Sequence, residues 1–146
     1  MKFVPMNLSH VHAVARLEEI CFHDPWSLNA ITSEASNPLS AWIVALEGER
    51  VVGYVGSQSV IDQADMMNIA VDPDYRRRGI AEQLVGELEA RLRDRDVKEL
   101  LLEVRVSHEP ARKLYEKLGF AVVGRRPGYY SRPKEDALIM RKELDT

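Results

Sequence analysis

The chain has 146 residues, 45% of them hydrophobic and 29% charged, which predicts one ordinary domain over residues 1–146 with enough apolar material for a sizeable core. Twenty Lys and Arg against twenty-three Asp and Glu leave a net charge of −3, which argues against a surface built for nucleic acid. No apolar run approaches the roughly 20 residues that cross a bilayer, and MKFVPMNLSH lacks a signal peptide's apolar centre, so a soluble cytoplasmic protein with no membrane attachment is expected. The single cysteine, Cys21, lies among Leu17, Ile20 and Phe22 and reads as a core thiol rather than a nucleophile. His10, His12, His23 and His108 form no ligand spacing, so no metal is expected.

Phe3 to Pro5 reads as a short strand. Asn7 or Ser9 is placed to cap a helix that turns Leu8, Val11, Val14, Ala15 and Leu17 to the core and ends near Phe22. His23-Asp24-Pro25-Trp26 breaks it, and Ser27 caps a second helix running to about Ser36. Ala41 to Leu46, Val51 to Ser59 and Ile61 to Val71 form three strand patterns, the first two joined by a turn at Glu47-Gly48-Glu49-Arg50. They predict an antiparallel meander.

Beyond Val71 the chain crosses Asp72 to Tyr75, then Arg76-Arg77-Arg78-Gly79, and enters a helix whose Ile80, Ala81, Leu84, Val85, Leu88 and Leu92 share one face. Val97 to Val106 contains LLLEV, apolar on both faces, as expected of a central strand covered by helices. A third helix accepts Pro110 in its first turn, carries Ala111, Leu114, Tyr115 and Leu118 on one face, and stops at Gly119. Strands near Phe120 to Arg125 and Ala137 to Lys142 close the chain, with GYYSRPKED between them as a loop. The order predicts an α/β (α+β) fold, a mixed, mostly antiparallel sheet of about six to seven strands with helices on both faces.

The chemistry concentrates at Asn68 to Leu84. A helix start exposes unpaired N–H groups and carries about half a positive charge, so an anion can dock there. Gly79 permits close approach of a ligand to the backbone, and Ala81 leaves the first turn uncrowded. Three arginines at a helix start oppose the helix dipole, and that conflict favours an anionic ligand, most naturally a pyrophosphate, over a merely solvated surface. There is neither a P-loop nor a GxGxxG fingerprint.

RxxGxA from Arg76 to Ala81 resembles the (Q/R)xxGx(G/A) signature of the GNAT superfamily of acetyl-CoA-dependent N-acetyltransferases. IAV before it, LEVRVSHEPARKLYEKLGF after it, GYY near the end and Pro25-Trp26 near the start are in register with the same family. Together they resemble its RimI group, which acetylates the N-terminal alanine of a small-subunit ribosomal protein. The resemblance implies acetyl-CoA as cosubstrate, a protein N-terminus as acceptor, and transient complex partners at most. It implies Glu103 as general base and Tyr115 as general acid. Ile69, Ala70 and Val71 would pair with the pantetheine arm, and Arg77, Arg78, Gly79, Ile80, Ala81 and Glu82 would hold the pyrophosphate. His108, where the family usually has Asn, and Tyr115 would also contact the coenzyme. Trp26, Tyr129 and Tyr130 would flank the acceptor groove.

Each of these residues also has a plainer reading. Glu103 at the end of an apolar strand is either a desolvated base with a raised pKa or the partner of Arg105 or another arginine. By spacing alone Tyr115 is a core aromatic, and a Schellman-type contact from Phe120 back to it would fix its ring. A phenol of pKa about 10 facing a thiolate of about 8.5 faces a full transfer uphill by roughly 2 kcal/mol, so hydrogen bonding to the leaving group is the safer role. Trp26, Tyr129 and Tyr130 also read as partly buried loop anchors. Lysine, polyamine or other small-amine acceptors, and a non-catalytic acyl-CoA-binding module, remain as alternatives.

Overall fold

The computed structural model describes residues 1–144 and places seven strands in one sheet, ordered β1-β2-β3-β4-β5-β7-β6. β1 (Lys2–Pro5), β2 (Ser40–Glu47), β3 (Arg50–Val60) and β4 (Gln63–Val71) run antiparallel to their neighbours. β5 (Glu99–Arg105) joins β4 in parallel, and β7 (Lys134–Glu143) pairs antiparallel with both β5 and β6 (Ala121–Ser131). The predicted meander and mixed sheet are present. Among the described residues no helix is long and apolar enough to cross a membrane.

Alternation along the strands sorts the core into two layers. Trp42, Val44, Tyr54 and Ala70 face α1 (Val11–Cys21) and α2 (Leu28–Ser36). Ala41, Ile43, Val52 and Val55 face α3 (Ile80–Asp94), whose Leu84, Leu88 and Leu92 are fully buried. α4 (Glu109–Lys117) contributes Tyr115 to that second layer. Gly56 is required by a close approach: a Cβ there would lie 2.2 Å from the Trp42 ring. The bare strand lets Trp42 stack on Tyr54 at 5.9 Å and meet Trp26 edge-on at 5.5 Å.

Several expectations are corrected. α1 is capped at His10 without a side-chain hydrogen bond, because Asn7 Oδ1 instead accepts from the Ser9 N–H and hydroxyl. Leu8, outside that helix, is 61% exposed rather than core. Ile61 belongs to the two-residue turn before β4 and not to the strand. Ser27 caps α2 as expected, its Oγ accepting from Ala30 N–H at 3.1 Å.

Two further differences shape the site. β5 is covered on one face only: Leu100, Leu102 and Val104 are buried, whereas Leu101, Glu103 and Arg105 are half-buried on the other. GYYSRPKED is not a loop, because β6 continues through Ser131 and β7 starts at Lys134. A bulge between Arg126 and Tyr130 had hidden the strand. The Asp136 carboxylate holds it, accepting from Gly128 N–H at 2.8 Å and Arg125 Nε at 2.7 Å.

Asp72 links the sheet to the region beyond it. Its side chain, 6% exposed, accepts from Asp74 N–H at 2.9 Å and pairs with Arg50 at 3.0 Å, fixing the 3₁₀ turn Pro73–Tyr75. The Asp74 amide first, and Arg50 with it, hold this carboxyl below its ordinary 3.8. A folded pKa lowered in this way stabilises the protein above 3.8, and the contribution is lost as pH falls through the folded value. Asp72→Asn should therefore cost about 1–2 kcal/mol near neutrality in urea unfolding. The gap from the parent should narrow below pH 3.8 and close as the pH falls through the lowered folded value.

Candidate active site

β4 and β5 pair only over Gln63–Asp65 with Glu99–Leu101, and no register is shared further along. A cavity of about 820 Å³ lies beside both strands where they part, lined by Met66 to Ile69 on one side and Leu101 to Arg105 on the other. Trp26, Glu103, His108, Tyr115, Tyr129 and Tyr130 all line it, so one cavity gathers side chains that lie more than a hundred residues apart in the chain. At the same end of β4 the register with β3 passes from Gly56↔Asn68 to Ser57↔Met66, leaving Met67 as a bulge.

The anion cradle is built from backbone. Arg77 and Gly79 have φ of +65° and +74°, bracketing Arg78 in a turn that gathers N–H groups. Gly79 is the N-cap of α3 and supplies no side-chain cap. The first helical bond runs from Gln83 N–H to Gly79 C=O at 3.1 Å, so the N–H groups of Ile80, Ala81 and Glu82 have no intrahelical acceptor.

The arginines divide their work. Arg76 turns back to the Val71 carbonyl at 3.2 Å and Cys21 Sγ at 3.6 Å. Arg78 reaches the Asp74 carbonyl at 3.3 Å and lies 4.8 Å from the Tyr75 ring. Arg77 is exposed and has no hydrogen bond or ion pair among the described residues. Glu82 pairs with Lys117 at 2.7 Å, tying the start of α3 to the end of α4. Cys21 is half-buried, its thiol pushed up by burial.

Glu103 is not the fully desolvated carboxylate that its strand implied. Its side chain is 29% exposed and pairs with Arg126 at 3.0 Å. Arg105 goes elsewhere, to the carbonyls of Arg132 and Pro133 and to Glu135, while lying 4.2 Å from the Tyr130 ring. Tyr129 borders the same carboxylate. Hydrogen bonding to Glu103, then burial, raises that phenol to about 12. Asp65 joins them from β4, its carboxyl raised by burial and by the charge of Glu103.

Tyr115 ends α4 in a Schellman motif: Phe120 N–H donates to the Tyr115 carbonyl at 2.9 Å and Gly119 N–H to that of Glu116 at 3.0 Å. The Tyr115 and Phe120 rings meet edge-on at 5.9 Å. The contact expected from the sequence is therefore made, and it fixes the ring at the cavity wall. Burial raises the Tyr115 hydroxyl to about 12. His108 caps α4 by position but forms no side-chain cap.

Sequence reasoning missed Arg126, Asp65, Asn68 and Glu18. Glu18 is fully buried, and it shares a helix face with Val11, Val14 and Leu17, which was a visible signal of a buried acceptor. Among the described residues no group of three or more His, Cys, Asp or Glu side chains is placed to hold a metal.

A parallel splay, a bulged strand beside it and an uncapped helix start after a basic turn now stand together. Residues 11–120 match the model of the acetyltransferase (GNAT) family. The chain belongs to the GNAT acetyltransferase family. It is 36% identical over 137 residues to the [ribosomal protein bS18]-alanine N-acetyltransferase of Escherichia coli K12, covering 92% of each chain. The crystal structure of the Escherichia coli ribosomal-protein-S18-alanine N-acetyltransferase superposes with a TM-score of 0.91 at 31% identity, over 99% of this chain and 94% of that one. Arabidopsis thaliana NAA60 in complex with acetyl-CoA shares the fold, with a TM-score of 0.88 at 18% identity over 99% of each chain. In this GNAT chain a Tyr115→Phe variant should leave the phenolate absorbance titration between about pH 9 and 11 unchanged, where a phenol of ordinary pKa about 10 would ionise. Loss of one tyrosine's amplitude in that range would contradict the burial of Tyr115.

Proposed function

We propose that this GNAT acetyltransferase transfers the acetyl group of acetyl-CoA to the N-terminal α-amine of a protein, most specifically the N-terminal alanine of a small-subunit ribosomal protein. The observation that carries the reading is the convergence of Glu103 and Tyr115 on one cavity beside the free half of β4. The likeness to the Escherichia coli enzyme over nearly the whole chain supports the acceptor.

The residues present fit the coenzyme. The uncapped N–H groups of Ile80, Ala81 and Glu82, with the turn at Arg77 to Gly79, would hold its pyrophosphate. Ile69 to Val71, on the length of β4 that β5 leaves unpaired, would pair with the amides of its pantetheine arm. Bound acetyl-CoA supplies an activated acetyl thioester.

Glu103 accepts one proton of the acceptor ammonium, the amine nitrogen then attacks the acetyl carbonyl carbon as the carbon–sulfur bond breaks, and the nitrogen's surplus proton passes to the departing sulfur, leaving amide and free thiol. Amides of this strand polarise the carbonyl oxygen, Val71 N–H in place of Ile69 N–H, which already donates to Asn68 Oδ1. Tyr115 donates a hydrogen bond to the departing sulfur. With its hydroxyl near 12 against a thiol of about 8.5, full proton transfer lies roughly 5 kcal/mol uphill, so stabilisation by hydrogen bond is its role. Glu103 must exchange Arg126 for the acceptor ammonium, and Trp26, Tyr129 and Tyr130 wall the entry.

A half-exposed, ion-paired carboxylate suits an α-amine better than a lysine. Deprotonation near neutral pH costs roughly 1 kcal/mol for an α-amine of pKa about 7.8 and about 4.6 for a lysine. In a thiol-release assay with acetyl-CoA, an alanine-starting peptide should turn over well ahead of free lysine or polyamine. Glu103→Gln should lower kcat about 100-fold or more with coenzyme affinity retained. Full activity of that variant across pH would remove Glu103 as the base.

A further inference from the structure

Behind the cavity wall lies a carboxylate that the proposed chemistry does not use. Glu18 is fully buried on α1, and burial raises its pKa. Three donors from three elements converge on its two oxygens. Trp26 N–H, from the segment between α1 and α2, donates to Oε1 at 2.8 Å. Asn68 Nδ2, on β4, donates to Oε2 at 2.6 Å, and the Tyr54 hydroxyl, on β3, donates to that same oxygen. Trp26 and Asn68 both line the active-site cavity; in the proposed chemistry Trp26 walls the acceptor entry and Asn68 adjoins the thioester strand.

The Asn68 amide has a second bond. Its Oδ1 accepts from Ile69 N–H at 3.1 Å, an amide of the strand assigned above to the thioester. The polarity of the chain Glu18, Asn68, Ile69 is therefore fixed from the buried end. Because Glu18 presents only acceptors, Asn68 must turn its NH₂ inward and its carbonyl toward Ile69. Asn68 follows the Met67 bulge, where the backbone is least constrained by the ladder, so a side-chain tether there has the most to fix.

We propose that Glu18 is a positioning residue for acyl transfer, acting through Asn68 on Ile69 and through the Trp26 amide on the acceptor wall. It makes the two sides of the cavity one rigid unit. The inference rests on the acetyl-transfer reading for its consequence in rate, and on the hydrogen-bond polarity alone for its consequence in structure.

The polarity gives the test. Glu18→Gln keeps the shape but turns one of the two acceptor oxygens into an NH₂, which must oppose either Trp26 N–H or the Asn68 and Tyr54 donors; set against Asn68, it makes that residue turn its amide. Its NH₂ then confronts Ile69 N–H. Asn68→Asp alone sets two carboxylates against each other. The double variant Glu18→Gln/Asn68→Asp restores a donor facing an acceptor at the first link and an acceptor for Ile69 N–H at the second. Each single variant should lose roughly 10- to 100-fold in kcat, with a smaller loss of coenzyme affinity, since Ile69 belongs to the strand proposed for the pantetheine arm while the pyrophosphate cradle lies elsewhere. The double variant should recover most of the loss.

Amide hydrogen exchange at Ile69 should quicken in each single variant and return in the double, a readout independent of turnover. A Glu18→Gln enzyme with parental kcat, or a double variant no better than the singles in rate and in exchange, would overturn the proposal. If the parent itself releases no thiol, it is the acetyl-transfer reading that fails, and the exchange pattern still decides whether Glu18 sets the polarity of Asn68.

Discussion

The structure depends on a pairing that stops. β4 and β5 share a register for three residues and then part, although each stays paired along its other side, β4 with β3 apart from the Met67 bulge and β5 with β7. A strand edge that is neither paired nor wet costs about 1–3 kcal/mol for each buried group left unsatisfied. The fold avoids that cost by leaving the opening as a cavity open to the surface. An extended ligand bearing its own amides can occupy such an edge as a strand would. The geometry thus selects the class of ligand before any side chain is considered.

The bulge at Met67 and the turn at Arg77 to Gly79 extend the same logic along one continuous stretch of chain. Between them lies the free half of β4, fixed at its end by Asp72, whose bonds to Asp74 and Arg50 set the direction in which the chain leaves the sheet. The helix start follows within a few residues. With Arg76 and Arg78 occupied by carbonyls, the anion binding proposed above would fall mainly to the uncapped amides and to Arg77. The triple arginine is thus less a cluster of free charge than two braces and one exposed cation.

What the sequence made legible was local. Ser27 as a cap, the turn between β2 and β3, the apolar stripe of α3, and Gly119 with Phe120 folding back on Tyr115 all depend on residues within a turn or two of each other. The failures were of two kinds. Polar residues near Asn7 and Ser9 satisfied one another instead of α1, so the cap was misplaced. A strand broken by Pro127 and Gly128 read as a loop because its pairing with β7 and its Asp136 clamp are tertiary facts. The same holds for the pairing of Glu103 with Arg126. The residue types at the site were legible; their partners were set by contacts that spacing cannot encode.

Those partners change the physical account of the site. A carboxylate buried alone would be a strong base, but it would also bear the whole cost of desolvation when empty. Glu103, held by Arg126 and bordered by Tyr129, avoids that cost. A site of this kind works by exchange, the incoming ammonium replacing a guanidinium at the same oxygen. It thereby favours an acceptor whose amine is already near its neutral form, and disfavours one that needs several more units of pKa depression. Glu18, the fully buried carboxylate, is satisfied by three donors and in the proposal above holds shape, while the carboxylate assigned to chemistry is partly exposed.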